Sequence, residues 1–163
     1  MCTYNTLEHP QDELFMKAAL EEAGKALQKD EVPVGAVLVK EGQIISSGHN
    51  SSIMLNDPSA HAEIIALRQG GKLLGNYRLA DTELYVTVEP CIMCMGALLH
   101  ARVKRLIFGA RDQRAGAAGS VFDFTCDDRL NHKLEVRAGV LEAECRNLMQ
   151  LFFRKKRCYN TER

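Results

Sequence analysis

The chain has 163 residues, 46% apolar and 26% charged, with 21 Lys and Arg against 21 Asp and Glu. That is the make-up of one ordinary globular domain with room for a full core, and zero net charge argues against binding nucleic acid through bulk charge alone. No apolar run approaches the roughly 20 residues that span a bilayer, and Met1 to Asp12 lacks the basic-then-apolar pattern of a signal peptide. The expectation is therefore no membrane and a reducing, cytoplasmic setting, with the six cysteines as thiols or ligands rather than disulfides.

Glu13 to Lys29 carries apolar residues at Met16, Ala19, Leu20, Ala23, Ala26 and Leu27, a helical stripe. Val34 to Val39 and Gln43 to Ser47 read as strands joined at Glu41-Gly42, a hairpin turn. His49 to Ser59 reads as loop. A helix is expected over Ala60 to Leu67, capped by Ser59 and ended by Gly70-Gly71. Glu83 to Val88 is a buried strand that runs into Pro90, and Pro90 suits the entry to a helix over Ile92 to Ala101. Arg105 to Gly109 and Val136 to Leu141 complete the strands. A last helix runs from Glu142 to about Lys156, with Cys145, Leu148, Met149 and Phe152 on its apolar face. Strands separated by helices predict an α/β fold with a central sheet covered on both sides. Asp112 to Lys133 is long for a connection, and long loops are often functional.

Two short motifs carry chemistry: His61-Ala62-Glu63, and Pro90-Cys91-Ile92-Met93-Cys94. Cys91 and Cys94 share one face of a first helical turn, where the helix terminus favours thiolate. His61 also opens a helix. Side chains there tilt back past the end, so one metal ion beyond it can meet both His61 and Glu63, although only His61 need bind. Three ligands and an unligated acid are the parts of a hydrolytic zinc site with an open position. Two other readings stay open. A Cys-x-x-Cys pair serves redox chemistry, which leaves His61 and Glu63 without a role. A closed structural site would recruit a fourth ligand from Cys126, Cys145, His100 or His132. His-x-Glu followed by Pro-Cys-x-x-Cys is the established signature of zinc nucleobase deaminases. Cys2 and Cys158 fall near the ends, Cys145 suits a core position, and Cys126, His9 and His49 receive no role. Arg154-Lys155-Lys156-Arg157 and the looser group Arg102, Lys104, Arg105, Arg111 and Arg114 are either solvated faces or phosphate-binding patches.

From about Leu14 to Arg157 the sequence resembles the bacterial tRNA-specific adenosine deaminases of the cytidine deaminase-like superfamily. The resemblance rests on Glu31-Val32-Pro33-Val34-Gly35-Ala36-Val37, Asp57-Pro58-Ser59-Ala60-His61-Ala62-Glu63-Ile64, Asn76-Tyr77-Arg78-Leu79 and Leu84-Tyr85-Val86-Thr87-Val88-Glu89-Pro90-Cys91. Phe108-Gly109-Ala110-Arg111-Asp112, Gly116-Ala117-Ala118-Gly119-Ser120 and Phe152-Phe153-Arg154 extend it. It implies a three-layer α/β/α fold with a central five-stranded mixed sheet. It also implies a homodimer with active sites near the interface, and one zinc ion per subunit held by His61, Cys91 and Cys94. The implied substrate is the wobble adenosine in the anticodon stem-loop of an arginine tRNA, converted to inosine. Glu63 would shuttle protons, Asn50 would hydrogen-bond the flipped base, and the backbone around Ala62 would contact the base edge. Asp112 and Phe153, with Phe152 and Arg154, would hold flanking nucleotides. Met95 stands where the family commonly has Ala, and Ser51 to Asn56 departs from its usual loop. A free base or nucleoside deaminase, acting on cytosine or guanine, shares the zinc site. The 112–120 loop and the Phe152-Phe153-Arg154 end favour RNA. A non-catalytic, zinc-containing RNA-binding subunit is disfavoured by the presence of Glu63.

Overall fold

The computed structural model describes residues 9–161, with side chains as far as Arg157, so Cys2 and the Cys158 side chain lie outside the described residues. The elements are α1 (Asp12–Gln28), β1 (Gly35–Lys40), β2 (Gln43–His49), α2 (Ser52–Leu55), α3 (Ala62–Leu74), β3 (Thr82–Val88), α4 (Ile92–His100), β4 (Arg105–Ala110), β5 (Glu135–Ala138) and α5 (Glu142–Thr161). The five strands form one sheet in the order β2-β1-β3-β4-β5. β1 is antiparallel to β2 and β3, whereas β3-β4 and β4-β5 are parallel. The sheet is thus mixed, as the resemblance implies.

The strand period of two sorts the core into two layers. Ala36, Leu38, Leu84, Val86, Leu106 and Phe108 face Ala62, Ala66 and Leu67 of α3 and Met95 and Leu98 of α4. Val37, Val39, Tyr85 and Ile107 point the other way, onto Phe15, Met16 and Ala19 of α1 and Cys145 of α5. Each helix contributes an apolar stripe spaced three and four residues apart, which gives three layers. The β1-β2 turn places Glu41 at φ 52° and Gly42 at φ 73°, the mirror-image turn that matches strand twist in a two-residue hairpin.

Three local expectations need correction. Ser52–Leu55 is a short helix rather than loop, its Met54 N–H held by the buried Glu31 carboxylate at 2.8 Å. The next helix starts at Ala62, because Ser59 N–H and Oγ turn back onto Asp57 Oδ1 at 2.8 and 2.7 Å instead of capping it. Gly70 and Gly71 do not end that helix. A Cβ on Gly70 would come within 2.4 Å of Leu38 Cδ2, so the glycine lets the helix approach β1, and Gly75, at φ 61°, is the true C-cap.

One rim of the sheet holds a buried charge network. Tyr85 Oη lies 2.8 Å from Asp12 Oδ1 and 2.7 Å from Glu83 Oε2. Arg105 pairs with Glu83 at 2.6 Å and Arg137 with Asp12 at 2.5 Å. Arg105 therefore leaves the basic surface group suggested by sequence. Among the described residues no helix is long and apolar enough to cross a membrane.

Candidate active site and metal centre

The opposite rim gathers the ends of β2, β3 and β4 with the N-termini of α3 and α4. His61 and Cys91 are each the extended residue just before a helix, at φ −77°, ψ 154° and φ −75°, ψ 176°. Their carbonyls accept the first helical bonds, from Ile65 N and Met95 N at 3.0 and 2.9 Å. Cys94 lies one turn into α4 and is fully buried, so both sulfurs and the imidazole converge beyond two helix ends. His61 Nδ1 stands 3.7 Å from Cys91 Sγ and 3.5 Å from Cys94 Sγ. A tetrahedral zinc with nitrogen at about 2.0 Å and sulfur at about 2.3 Å sets those atoms about 3.6 Å apart. The donor set therefore fits zinc, and His61, Cys91 and Cys94 are placed to bind one ion. Among the described residues no fourth His, Cys, Asp or Glu joins this group, which disfavours the closed structural site. Cys145 packs on the other sheet face, and His132 Nε2 bonds Val103 O at 2.6 Å.

Charge at the site follows from this crowding. A hydrogen bond from Cys94 brings the Cys91 thiol down to about 4, with His61 assisting against desolvation. Cys94 is pushed upward by the same bond, and His61 is raised by its contact with Cys91. Glu63 is 3% exposed, and burial raises its carboxyl to about 7 against the pull of its own backbone N–H and His61. Its Oε2 is buried without a hydrogen-bond partner among the described residues, an arrangement that costs free energy unless a ligand or water answers it.

The remaining expected site residues divide. Asn50 Oδ1 accepts the Ala62 N–H at 2.9 Å, so Asn50 caps α3 and turns its amide nitrogen to the other side. The Ala62 N–H is thereby occupied before any base arrives. Asp112 Oδ1 receives Arg114 N–H and Ala115 N–H at 2.9 and 3.3 Å, fixing a turn in its own loop. Phe152 is 5% exposed and anchors α5, whereas its edge-on neighbour Phe153, 5.3 Å away, is 38% exposed. Arg154 is exposed, and within its basic run Lys156 is paired with Asp30. Met95 is fully buried in the core under α4. Cys126 is disulfide-bonded, contrary to the expectation of free thiols.

Sequence reading missed Glu89. It is 3% exposed and collects four donors: Asp112 N–H at 3.1 Å, Ala118 N–H at 2.9 Å, Ser120 N–H at 3.0 Å and the Ser120 hydroxyl. The available signal was a carboxylate directly after a buried strand and before Pro90, with no cation nearby in sequence.

The profile of the cytidine and deoxycytidylate deaminase zinc-binding region matches residues 9–110. A tRNA-specific adenosine deaminase of Haemophilus influenzae is 56% identical over 147 residues, covering 90% of this chain and 85% of that protein. One from Bacillus subtilis is 46% identical, covering 90% and 91%. A structure from a study of A-to-I editing by tRNA:A34 deaminases at the wobble position of transfer RNA superposes with a TM-score of 0.81 at 43% identity, covering 83% of this chain and 98% of that one. A guanine deaminase structure from Bacillus subtilis gives 0.60 at 41% identity, covering 70% and 71%. With its zinc ligands and buried acid in place, the chain belongs to the zinc-dependent hydrolytic deaminases of the cytidine deaminase family, among the tRNA-specific adenosine deaminases.

Proposed function

We propose that this chain, as a single deaminase domain over residues 1–163, converts the wobble adenosine in the anticodon loop of an arginine tRNA to inosine. Water enters at C6 and ammonia leaves. The observation that carries this reading is the orphaned Glu63 oxygen buried beside a three-ligand metal set. Bound zinc acts as a Lewis acid that makes water nucleophilic near neutral pH. Glu63 carries one proton of the attacking water to the ring nitrogen beside C6, then carries that water's second proton, from the oxygen now on C6, to the amine, which departs as ammonia. A carboxyl held near 7 by burial suits an acid and base in one group. Asn50 offers its amide nitrogen to the base, and the backbone at Ala62 lines the base edge. Asp112, Phe153 and Arg154 hold neighbouring nucleotides, with Phe152 as the anchor beneath them. An anticodon loop suits the pocket because its bases leave the stack at low cost.

The setting is cytoplasmic and the active form a homodimer. In support, Ile92 is 48% and Met93 37% exposed on α4, beside a cavity of about 770 Å³ lined by Ile64, Leu67, Leu79, Met93, Ala97 and Ala101. Sedimentation equilibrium tests the dimer, and a monomer at micromolar concentration rejects it. The second reading, hydrolysis of a free base, draws on the likeness to guanine deaminase. The deciding experiment compares inosine formation in an arginine tRNA anticodon stem-loop with ammonia release from adenosine, cytidine and guanine. Turnover confined to the stem-loop supports the tRNA reading. Turnover confined to free bases or nucleosides moves the enzyme to salvage chemistry, and none at all leaves only RNA binding.

A further inference from the structure

Residues 112–120 follow β4 without regular structure, yet they are anchored from beneath, with Glu89 taking the largest share of the bonds. Glu89 reaches up from the end of β3 and accepts Asp112 N–H at the start of this segment and the Ser120 hydroxyl at its end through Oε2, and Ala118 N–H and Ser120 N–H through Oε1. Gly116 lies directly over that carboxylate. A Cβ there would fall 2.6 Å from both Glu89 Cδ and Oε2 and 2.5 Å from Asp112 O. Ala117 N–H adds a bond to Pro90 O at 2.8 Å, and Gly116 forms a bridge with Cys91. One buried anion thus joins the segment that carries Asp112 to the segment that carries the metal ligands.

We propose that Glu89 is a positioning residue that sets the height and tilt of the 112–120 segment over the metal site, and so governs how tightly the RNA strand is held. This rests on the reading of the site as a tRNA deaminase. Glu89 touches neither metal nor base, so its influence falls on substrate binding rather than on the proton transfers of Glu63.

The test uses the zinc-loaded full chain. In Glu89→Gln the retained oxygen still accepts from Ala118 N–H and Ser120 N–H, while the new amide meets the Asp112 N–H donor to donor and forces the Ser120 hydroxyl to turn from donor to acceptor. Loss of one hydrogen bond to a charged group corresponds to about tenfold or more in affinity. The expected result is a KM for the anticodon stem-loop raised about tenfold, a kcat within about threefold of the parent, unchanged zinc content, and faster amide exchange at Asp112 than in β3. Gly116→Ala, which displaces the same contact from above, should raise KM in the same direction with zinc retained. A loss of zinc, a fall in kcat at constant KM, or no change in KM for either variant overturns the proposal. If the parent protein makes no inosine in the stem-loop, the tRNA reading itself fails and takes this inference with it. If the parent is active and both variants match it, only this inference falls.

Discussion

Asn50 is assigned two duties by one amide, and the two can be separated. Its Oδ1 caps α3 through Ala62 N–H at 2.9 Å, and because that partner is a donor the amide orientation is fixed. Asn50→Ala removes both the cap and the donor toward the base. Loss of a cap costs about 1 kcal/mol, or about 2–4 °C in Tm for a domain of this size. Asn50→Asp keeps an acceptor at the same place, and a carboxylate at a helix N-terminus is at least as favourable as an amide oxygen. It lacks the N–H. Asn50→Asp should therefore melt within about 1 °C of the parent, while kcat/KM on the stem-loop falls about tenfold or more. Asn50→Ala should lose both. Thermal melts of zinc-loaded protein and single-turnover inosine formation read the two effects separately. Equal melting losses in both variants would refute the cap, and parental kcat/KM in Asn50→Asp would refute the contact with the base.

Glu63→Ala should keep about one zinc per chain and lose turnover, read by inosine in digested tRNA; persistent activity removes Glu63 from the mechanism. Asp12→Ala should destabilise the fold by about 3 kcal/mol in urea titration, because it strips an anion from the Arg105 and Arg137 cluster. Its kcat should not change, since that cluster lies at the rim away from the metal ligands. Stem-loop affinity should weaken as salt rises from low to moderate concentration despite the zero net charge, through local basic residues such as Arg154. Affinity independent of salt would leave those cations without phosphate partners.

The metal set was legible because its geometry is local. Cys-x-x-Cys on a first turn and His-x-Glu at a helix start each fix their own directions, and only the meeting of two helix ends had to be supplied by the fold. Core strands were legible for the same reason, since Val34 to Val39 and Glu83 to Val88 carry their burial in their composition. Glu89 was not, because its partners stand 23 to 31 residues away on a segment with no periodicity. Arg105 looked like a surface cation until Asp12 and Glu83 were seen to enclose it. Gly70 carries the same letter as a helix stop, and only the nearness of Leu38 shows that its missing Cβ serves packing. Ser52 to Leu55 is too short to reveal a helix by pattern, and Glu31, which holds it, lies more than twenty residues earlier.

The Glu41-Gly42 turn closes the hairpin at the end of β1 remote from Asn50. β1 begins beside the site, where Gly35 pairs with His49, and five further residues carry the chain about 17 Å away along the strand. That turn is a natural place to graft a tag, an affinity peptide or a second protein. Cargo attached there would project away from the rim that holds the metal ligands, so localisation and chemistry could be engineered on one scaffold without competing for the same surface.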